Sequence, residues 1–403
     1  MPVPAGFVAA GVTCGLKPSG RSDLALVLSE HPCTFAALFT QNSCAAPPVE
    51  RGRELLAHSP YLLGLVVNSG NANAATGEQG LRAATRMAEL AAGAWSLRFG
   101  RAAEASAFLS SSTGVIGRQL PMDKVDAGIN AATKALGGDP AHWHDASRAI
   151  MTTDTHPKMA HRTIEVPGGG RVQLLGMCKG AGMIHPNMAT MLAYFFTDAA
   201  IDTSHLRAVF HTAIHHSFNA ISIDGDTSTN DTALIMANGA SNVKLAPGAE
   251  GWHDFVEALG DLARQLALMI VSDQEGGIRT LCRIEVSGAT NEASARRLGE
   301  SVATSLLFKS ALHGADPNWG RIIAALGNSG IPLKLTDITV QLGPFVLIEH
   351  GTPQPFPAAD ASALMKNAET HLCIRVGDGP GRFTYFTANL SEDYVTFNSA
   401  YTT

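Results

Sequence analysis

The stretch "MCKGAGMIHPNMATMLAYFFTDA", Met177 to Ala199, decides how the rest of the chain is read. A lysine and two glycines lead into a His-Pro-Asn turn. Ala189-Thr190 then opens an apolar run with the look of a buried strand. Threonine is β-branched and suits a strand, which is one reading of its place there. The other makes Thr190 a nucleophile. A threonine hydroxyl is weak unless a base takes its proton. A threonine that begins a chain carries its own base, because a free α-amine has a pKa of about 7.7–8.0. An internal threonine reaches that state by attacking the carbonyl of the residue before it. An N-to-O acyl shift gives an ester, and water opens the ester. The bond attacked needs a small preceding residue, and Ala189 is one.

The bulk numbers bound the possibilities. The chain has 403 residues, 45% hydrophobic and 16% charged, enough for a large core and ordinary for a globular protein. A net charge of −6 argues against a nucleic-acid surface, which needs clustered Lys and Arg. Cys14, Cys33, Cys44, Cys178, Cys282 and Cys373 form no C-x-x-C pair and no zinc spacing, so they read as reduced thiols of a cytoplasmic protein. The N-terminal "MPVPAGFVAAGVTCG" lacks a basic region and does not read as a signal peptide. No apolar run nears the roughly 18 residues of a membrane span.

Helical and strand periods alternate, so the fold class is α/β. Helices are expected over 81–95, 122–136 and the strongly amphipathic 255–271, and an Asn-capped stretch over 291–312. "CRIEVSG", "DITVQLG" and "FVLIEHG" alternate as strands, and "CIRVGDGPGRFTYFTANL" reads as a hairpin. In "DTSHLRAVFHTAIHHSF" the apolar residues mark one helical face, with His211 and His215 opposite. Their i, i+4 spacing could hold a metal, but no Glu follows the H-E-x-x-H pattern, and they read as solvated.

Other motifs fail. "DGDTSTND" begins with calcium-loop spacing at Asp224, Asp226 and Ser228. It then puts Thr229 where glycine is needed and Ile235 where a bidentate Glu is needed. "GAGMIH" has His185 in place of the third glycine of a dinucleotide fingerprint. There is no phosphate-loop sequence and no G-x-S-x-G elbow.

Six blocks then set the odds for Thr190. They are "VVNSGNANAATGEQG" (66–80), "SSTGVIGRQLPMDK" (111–124), "AIMTTDTHPK" (149–158), "KGAGMIHPNMATML" (179–192), "SFNAISIDGDTSTNDT" (217–232) and "VSDQEGG" (271–277). In this order, and over nearly the whole chain, the sequence resembles the glutamate N-acetyltransferase / ornithine acetyltransferase (ArgJ) family of arginine biosynthesis. The resemblance implies the ornithine acetyltransferase (DmpA/ArgJ-like) fold, with helices layered around β-sheets. It implies self-cleavage at Ala189–Thr190 into an α chain, 1–189, and a β chain, 190–403, that associate as two α and two β. It further implies a ping-pong cycle in which Thr190 takes the acetyl group of N2-acetyl-L-ornithine and passes it to L-glutamate. Some members of the family also use acetyl-CoA as donor. No metal or bound cofactor is implied, and no nucleic acid or membrane partner.

Carried over by position, Thr113 and Gly114 match the family's oxyanion hole. Thr153, Lys179, Thr190, Glu275, Asn398 and the terminal Thr403 match its substrate contacts. By charge, Lys179 suits a substrate α-carboxylate and Glu275 the side-chain ammonium of ornithine. His185 departs from the small residue expected there. It could add a base near the cleavage point, and it reads more simply as an exposed turn residue. Three rivals stand beside this reading. They are an N-terminal-nucleophile amidase or aminopeptidase, a non-catalytic binding protein with a structural Thr190, and a dinucleotide-binding oxidoreductase.

Overall fold

The computed structural model describes residues 1–185, 191–273 and 277–400. Its centre is a mixed sheet of eight strands. The longest, β2 (Leu24–Phe39), serves both halves of that sheet. Its first part pairs with β1 (Phe7–Val12) on one side and β3 (Leu62–Asn71) on the other. Next to β3 lies β4 (Phe108–Val115), in parallel. The second part of β2 pairs with β10 (Thr232–Ala237). From there the order runs through β7 (Leu192–Thr197) and β6 (Gly170–Lys179) to β5 (Lys158–Val166).

Alternating side chains explain how these halves pack. Val27 of β2 and Val67 of β3 share one core with Tyr194 and Phe196 of β7, so the halves lie face to face. Phe7 of β1 meets Phe196 edge-on at 5.5 Å between ring centroids, and Trp143 meets it at 5.0 Å. The intervening residues point outward, onto helices. Leu26 and Val66 pack on α2 (Gly77–Phe99) and α3 (Met122–Ala135). Phe195 and Ile235 pack on α5 (Thr203–His215) and α6 (Trp252–Val271). The result is a helix–sheet–sheet–helix sandwich, an α/β fold with helices layered around sheets.

A second layer covers α6 from the far side. It is a seven-stranded sheet with its own apolar core, including Ile284, Val286, Leu298, Leu372 and Tyr385. Here two sequence expectations fail. Residues 369–388 do form two strands, β16 (Glu369–Arg375) and β17 (Gly379–Ala388), but they are not a hairpin. β12 (Leu281–Gly288) inserts between them, parallel to β16 and antiparallel to β17. The glycine-rich turn crosses the end of β12 instead of closing a ladder. A Cβ on Gly288 would lie 2.1 Å from the Gly377 carbonyl oxygen, so only glycine allows the crossing. The stretch 291–312 also breaks. α7 (Glu292–Ala303) starts at the expected Asn291 cap, whose side chain accepts from Ser294 N–H. Ser305 then caps a separate α8 (Leu306–His313) by accepting from Phe308 N–H.

Candidate active site

β4 and β6 end, and β7 and β10 begin, at the same edge of the sandwich. A cleft of about 290 Å³ opens there. Five residues singled out in the sequence line it: Thr113, Gly114, Thr153, Lys179 and Asn398. Thr113 and Gly114 come from the end of β4, Lys179 from the end of β6. Asn398 comes from the last helix, α11 (Glu392–Ala400). Ala189, Thr190, Glu275 and Thr403 lie outside the described residues.

The geometry at Thr113 bears on catalysis. Lys179 Nζ donates to Thr113 Oγ1 at 3.3 Å, and both residues are buried. An ammonium can only donate, so the hydroxyl accepts and keeps its own proton for another acceptor. Gly114 follows at φ +133°, and a Cβ there would sit 2.3 Å from the Gly70 carbonyl carbon. Main chain with no side chain and a hydroxyl with a spare proton are thus adjacent. That is the donor pair an oxyanion needs.

Beneath the cleft lies a buried ion cluster that the sequence reading did not single out. Lys158 Nζ reaches Asp154 Oδ1 at 2.7 Å and Asp273 Oδ2 at 2.5 Å, all three side chains fully buried. Asp154 also accepts from Gly180 N–H at 2.7 Å and Thr152 N–H at 3.0 Å. It therefore ties the Thr152–Thr153 turn to the chain just after Lys179. Burial pushes its pKa up, but the Lys158 and Lys179 charges and the Gly180 N–H outweigh it. The carboxyl is held at about 2. For Lys158 burial acts downward, and its two carboxylates reverse the sign and raise it. Lys17 is pushed down to about 8, by burial above all and then by the Lys179 charge.

The failed calcium loop forms the opposite wall. Asp224 accepts from Met183 N–H at 2.6 Å, Ile184 N–H at 2.8 Å and the Tyr394 hydroxyl at 2.8 Å. It thereby shapes the "GMIH" approach and pins α11 over the cleft. Burial raises its pKa against those hydrogen bonds. Asn230 Nδ2 donates to the carbonyls of Ala72 at 2.6 Å and Ser112 at 2.9 Å, bracing the strand end that carries Thr113.

His185 is not the exposed turn residue expected. Its Nε2 lies 3.3 Å from Glu300 Oε1 on α7, and the side chain is 19% exposed. A carboxylate within reach draws the imidazole inward. On α5, His215 Nε2 pairs with Glu292 Oε1 at 3.0 Å, and His211 stays exposed.

Comparison with known proteins identifies the family. Residues 8–403 match the model of the ArgJ family. The chain belongs to the ArgJ family. It is 44% identical over 402 residues to the arginine biosynthesis bifunctional protein ArgJ of Thermus thermophilus, covering all of this chain and 99% of that protein. The ArgJ protein of Deinococcus radiodurans is 43% identical over 400 residues, covering 99% of this chain and 97% of the other. A crystal structure of ArgJ from Bacillus halodurans is 36% identical, with a TM-score of 0.49, over 52% of this chain and 98% of that one. As an ArgJ protein the chain is an arginine-biosynthesis acetyltransferase, an ornithine acetyltransferase that acts on small molecules. The hydrolase, binding-protein and oxidoreductase alternatives are not favoured. Among the described residues, no helix is long and apolar enough to cross a membrane.

Proposed function

We propose that this chain cuts itself at Ala189–Thr190 and then uses Thr190 to carry an acetyl group from N2-acetyl-L-ornithine to L-glutamate. The observation that carries the reading is the cleft where Thr113, Gly114, Thr153, Lys179 and Asn398 meet. In the first half-reaction Thr190 Oγ attacks the acetyl carbonyl. The Thr113 hydroxyl and the Gly114 N–H meet the negative oxygen. Such donors are worth about 2.7–4 kcal/mol each. The C–N bond breaks, ornithine leaves with a proton on its nitrogen, and an ester remains on Thr190. Glutamate's amine then attacks the ester, and Thr190 Oγ regains its proton. Lys179 is assigned to the substrate α-carboxylate and Glu275 to the ornithine ammonium, with Asn398 and Thr403 completing the cleft. No metal or bound cofactor enters this cycle.

The fold suits a cut chain. The chain before 190 supplies β6 and β2, the chain after it β7 and β10, and these strands pair with one another. The two fragments, 1–189 and 190–403, stay joined through those ladders and the shared cores. An assembly of two α and two β chains in a reducing cytoplasm completes the proposal. All six cysteines stand as free thiols. Acetyl-CoA is proposed as a second donor for glutamate, in keeping with the bifunctional relatives.

Denaturing intact-mass spectrometry of the wild type beside Thr190→Ala tests the cut. The expected result is two fragments, the longer beginning at Thr190, and a full-length variant. A single uncut wild-type chain overturns the N-terminal threonine mechanism. N-acetylglutamate formation from glutamate, with acetylornithine or acetyl-CoA supplied in turn, then separates the two donors. Native mass reads the assembly.

A further inference from the structure

We infer that Asp231 is a positioning residue for the self-cleavage: its carboxyl anchors the backbone immediately downstream of the scissile bond. The inference rests on the assignment of Thr190 as nucleophile and adds a residue to it.

Asp231 immediately precedes β10 and is 1% exposed. Its Oδ1 accepts from Met191 N–H at 3.0 Å. That nitrogen is bonded to the carbonyl carbon of Thr190, so the anchor falls one peptide unit after the bond to be cut. The Met191 carbonyl is held as well, accepting from Thr232 N–H at 3.2 Å. Both sides of Met191 are therefore clamped by residues 231 and 232, at the mouth of β7. The preceding side chain works in another direction. Asn230 Nδ2 holds the carbonyl of Ser112, next to Thr113. Two consecutive residues thus link the strand end that carries the oxyanion donors to the residue that follows the nucleophile.

A purely structural role explains Asp231 poorly. Strands β10 and β7 pair through their backbones and need no carboxyl. Oδ2 is buried and, among the described residues, has no hydrogen-bond partner. The nearby Thr40 hydroxyl donates instead to the Ser228 carbonyl, at 2.7 Å. A buried unmet polar atom costs about 1–3 kcal/mol. Burial also raises the pKa of Asp231 well above the usual aspartate value, against the Met191 N–H bond and the Lys179 charge. One oxygen of the group is engaged on the Met191 amide. Asn230, the residue before it, lines the cleft. A residue kept at such cost at this position is accounted for by the reaction there.

The test measures conversion of full-length chain to fragments beginning at Thr190, by intact-mass spectrometry over time. Asp231→Ala removes the acceptor, and Asp231→Asn keeps a neutral oxygen in its place. Asp231→Ala is expected to slow cleavage by about 10²-fold, the order of effect of a small misplacement at a reacting group. Asp231→Asn should stay within about threefold of wild type, since an amide oxygen can accept the same Met191 N–H. The same substitutions on Thr190→Ala, where no chain is cut, report folding alone through their melting. Wild-type cleavage rates in Asp231→Ala overturn the inference. Equal slowing in both variants overturns the anchoring role. If Asp231→Ala fails to fold on either background, Asp231→Asn decides: near-wild-type cleavage supports the anchor, and its loss overturns it. An uncut wild type is a different failure, that of the Thr190 assignment.

Discussion

The two layers of the molecule bury different things. The seven-stranded layer buries aliphatic and aromatic side chains, among them Ile284, Leu372 and Tyr385. Its one fully buried lysine among the described residues, Lys309, donates to Thr387 Oγ1 at 2.9 Å and to the Ala388 carbonyl. The cleft end of the sandwich buries Asp154, Lys158, Lys179 and Asp273 close to one another. Buried charge is a poor way to gain stability, because desolvation offsets most of the Coulomb attraction. It is a good way to fix the positions of turns that must not move. The outer layer is built to hold the fold, and the cleft end to hold a geometry.

That contrast breaks most readily at Lys158. Lys158→Met should leave two carboxylates buried without their cation, at a cost of about 3–5 kcal/mol. It should also depress acetyl transfer, since Asp154 then loses its hold on Gly180 and Thr152. Thermal melting and steady-state kinetics read the two effects. Leu372→Ala in the outer layer should cost about 2–5 kcal/mol by opening a cavity, with kcat and KM unchanged. If Leu372→Ala alters kinetics, or Lys158→Met leaves them intact, the division of labour is wrong.

A smaller, sharper test uses pH. Asp154 titrates at about 2 in the folded protein, against 3.8 for an ordinary aspartate. The unfolded chain therefore binds the proton first. The stabilisation from Asp154 is complete above about pH 4 and is lost as pH falls toward 2. Lys309 shows the same sign in an alkaline window, where a penalty is relieved instead of a stabilisation gained. Burial pushes its pKa from 10.5 down to about 8, only partly opposed by Asp224 and Cys282. Between pH 8 and 10.5 the unfolded chain holds more protons, so the contribution of Lys309 grows more favourable as pH rises. Melting temperatures of Asp154→Asn should flatten the acid limb, and those of Lys309→Met the alkaline limb. Each substitution should leave the other limb unchanged.

Much of this was legible in the residues, and the illegible part has a common cause. Periodicity placed α2, α3, α5, α6 and the outer strands, because apolar spacing is local. It could not show β12 lying between β16 and β17, since a glycine turn permits a crossing as well as a hairpin. Nor could it separate α7 from α8 without weighing Ser305 as a second cap. Thr113, Gly114, Thr153, Lys179 and Asn398 were marked through resemblance, and they meet in one cleft. Asp154, Asp224 and Asn230 stood in quoted blocks without a role. Burial and partnership are tertiary properties, and a lone Asp in a sequence reads as solvated. His185 was misread for the same reason: its partner Glu300 lies far along the chain.

The pairing of β2 with β10 has a consequence in time. Phe39 faces Thr232 across that ladder, with most of the sandwich's residues strung between them. Contacts so distant along the chain close slowly, because loop entropy must be overcome before the ladder repays it. Asn230 and Asp231 sit directly at the start of β10. The brace from Asn230 to Ser112 likewise spans 118 residues of chain and forms late. Topology acts here as a clock, and the chemistry of the cleft becomes available only to a chain that has finished folding.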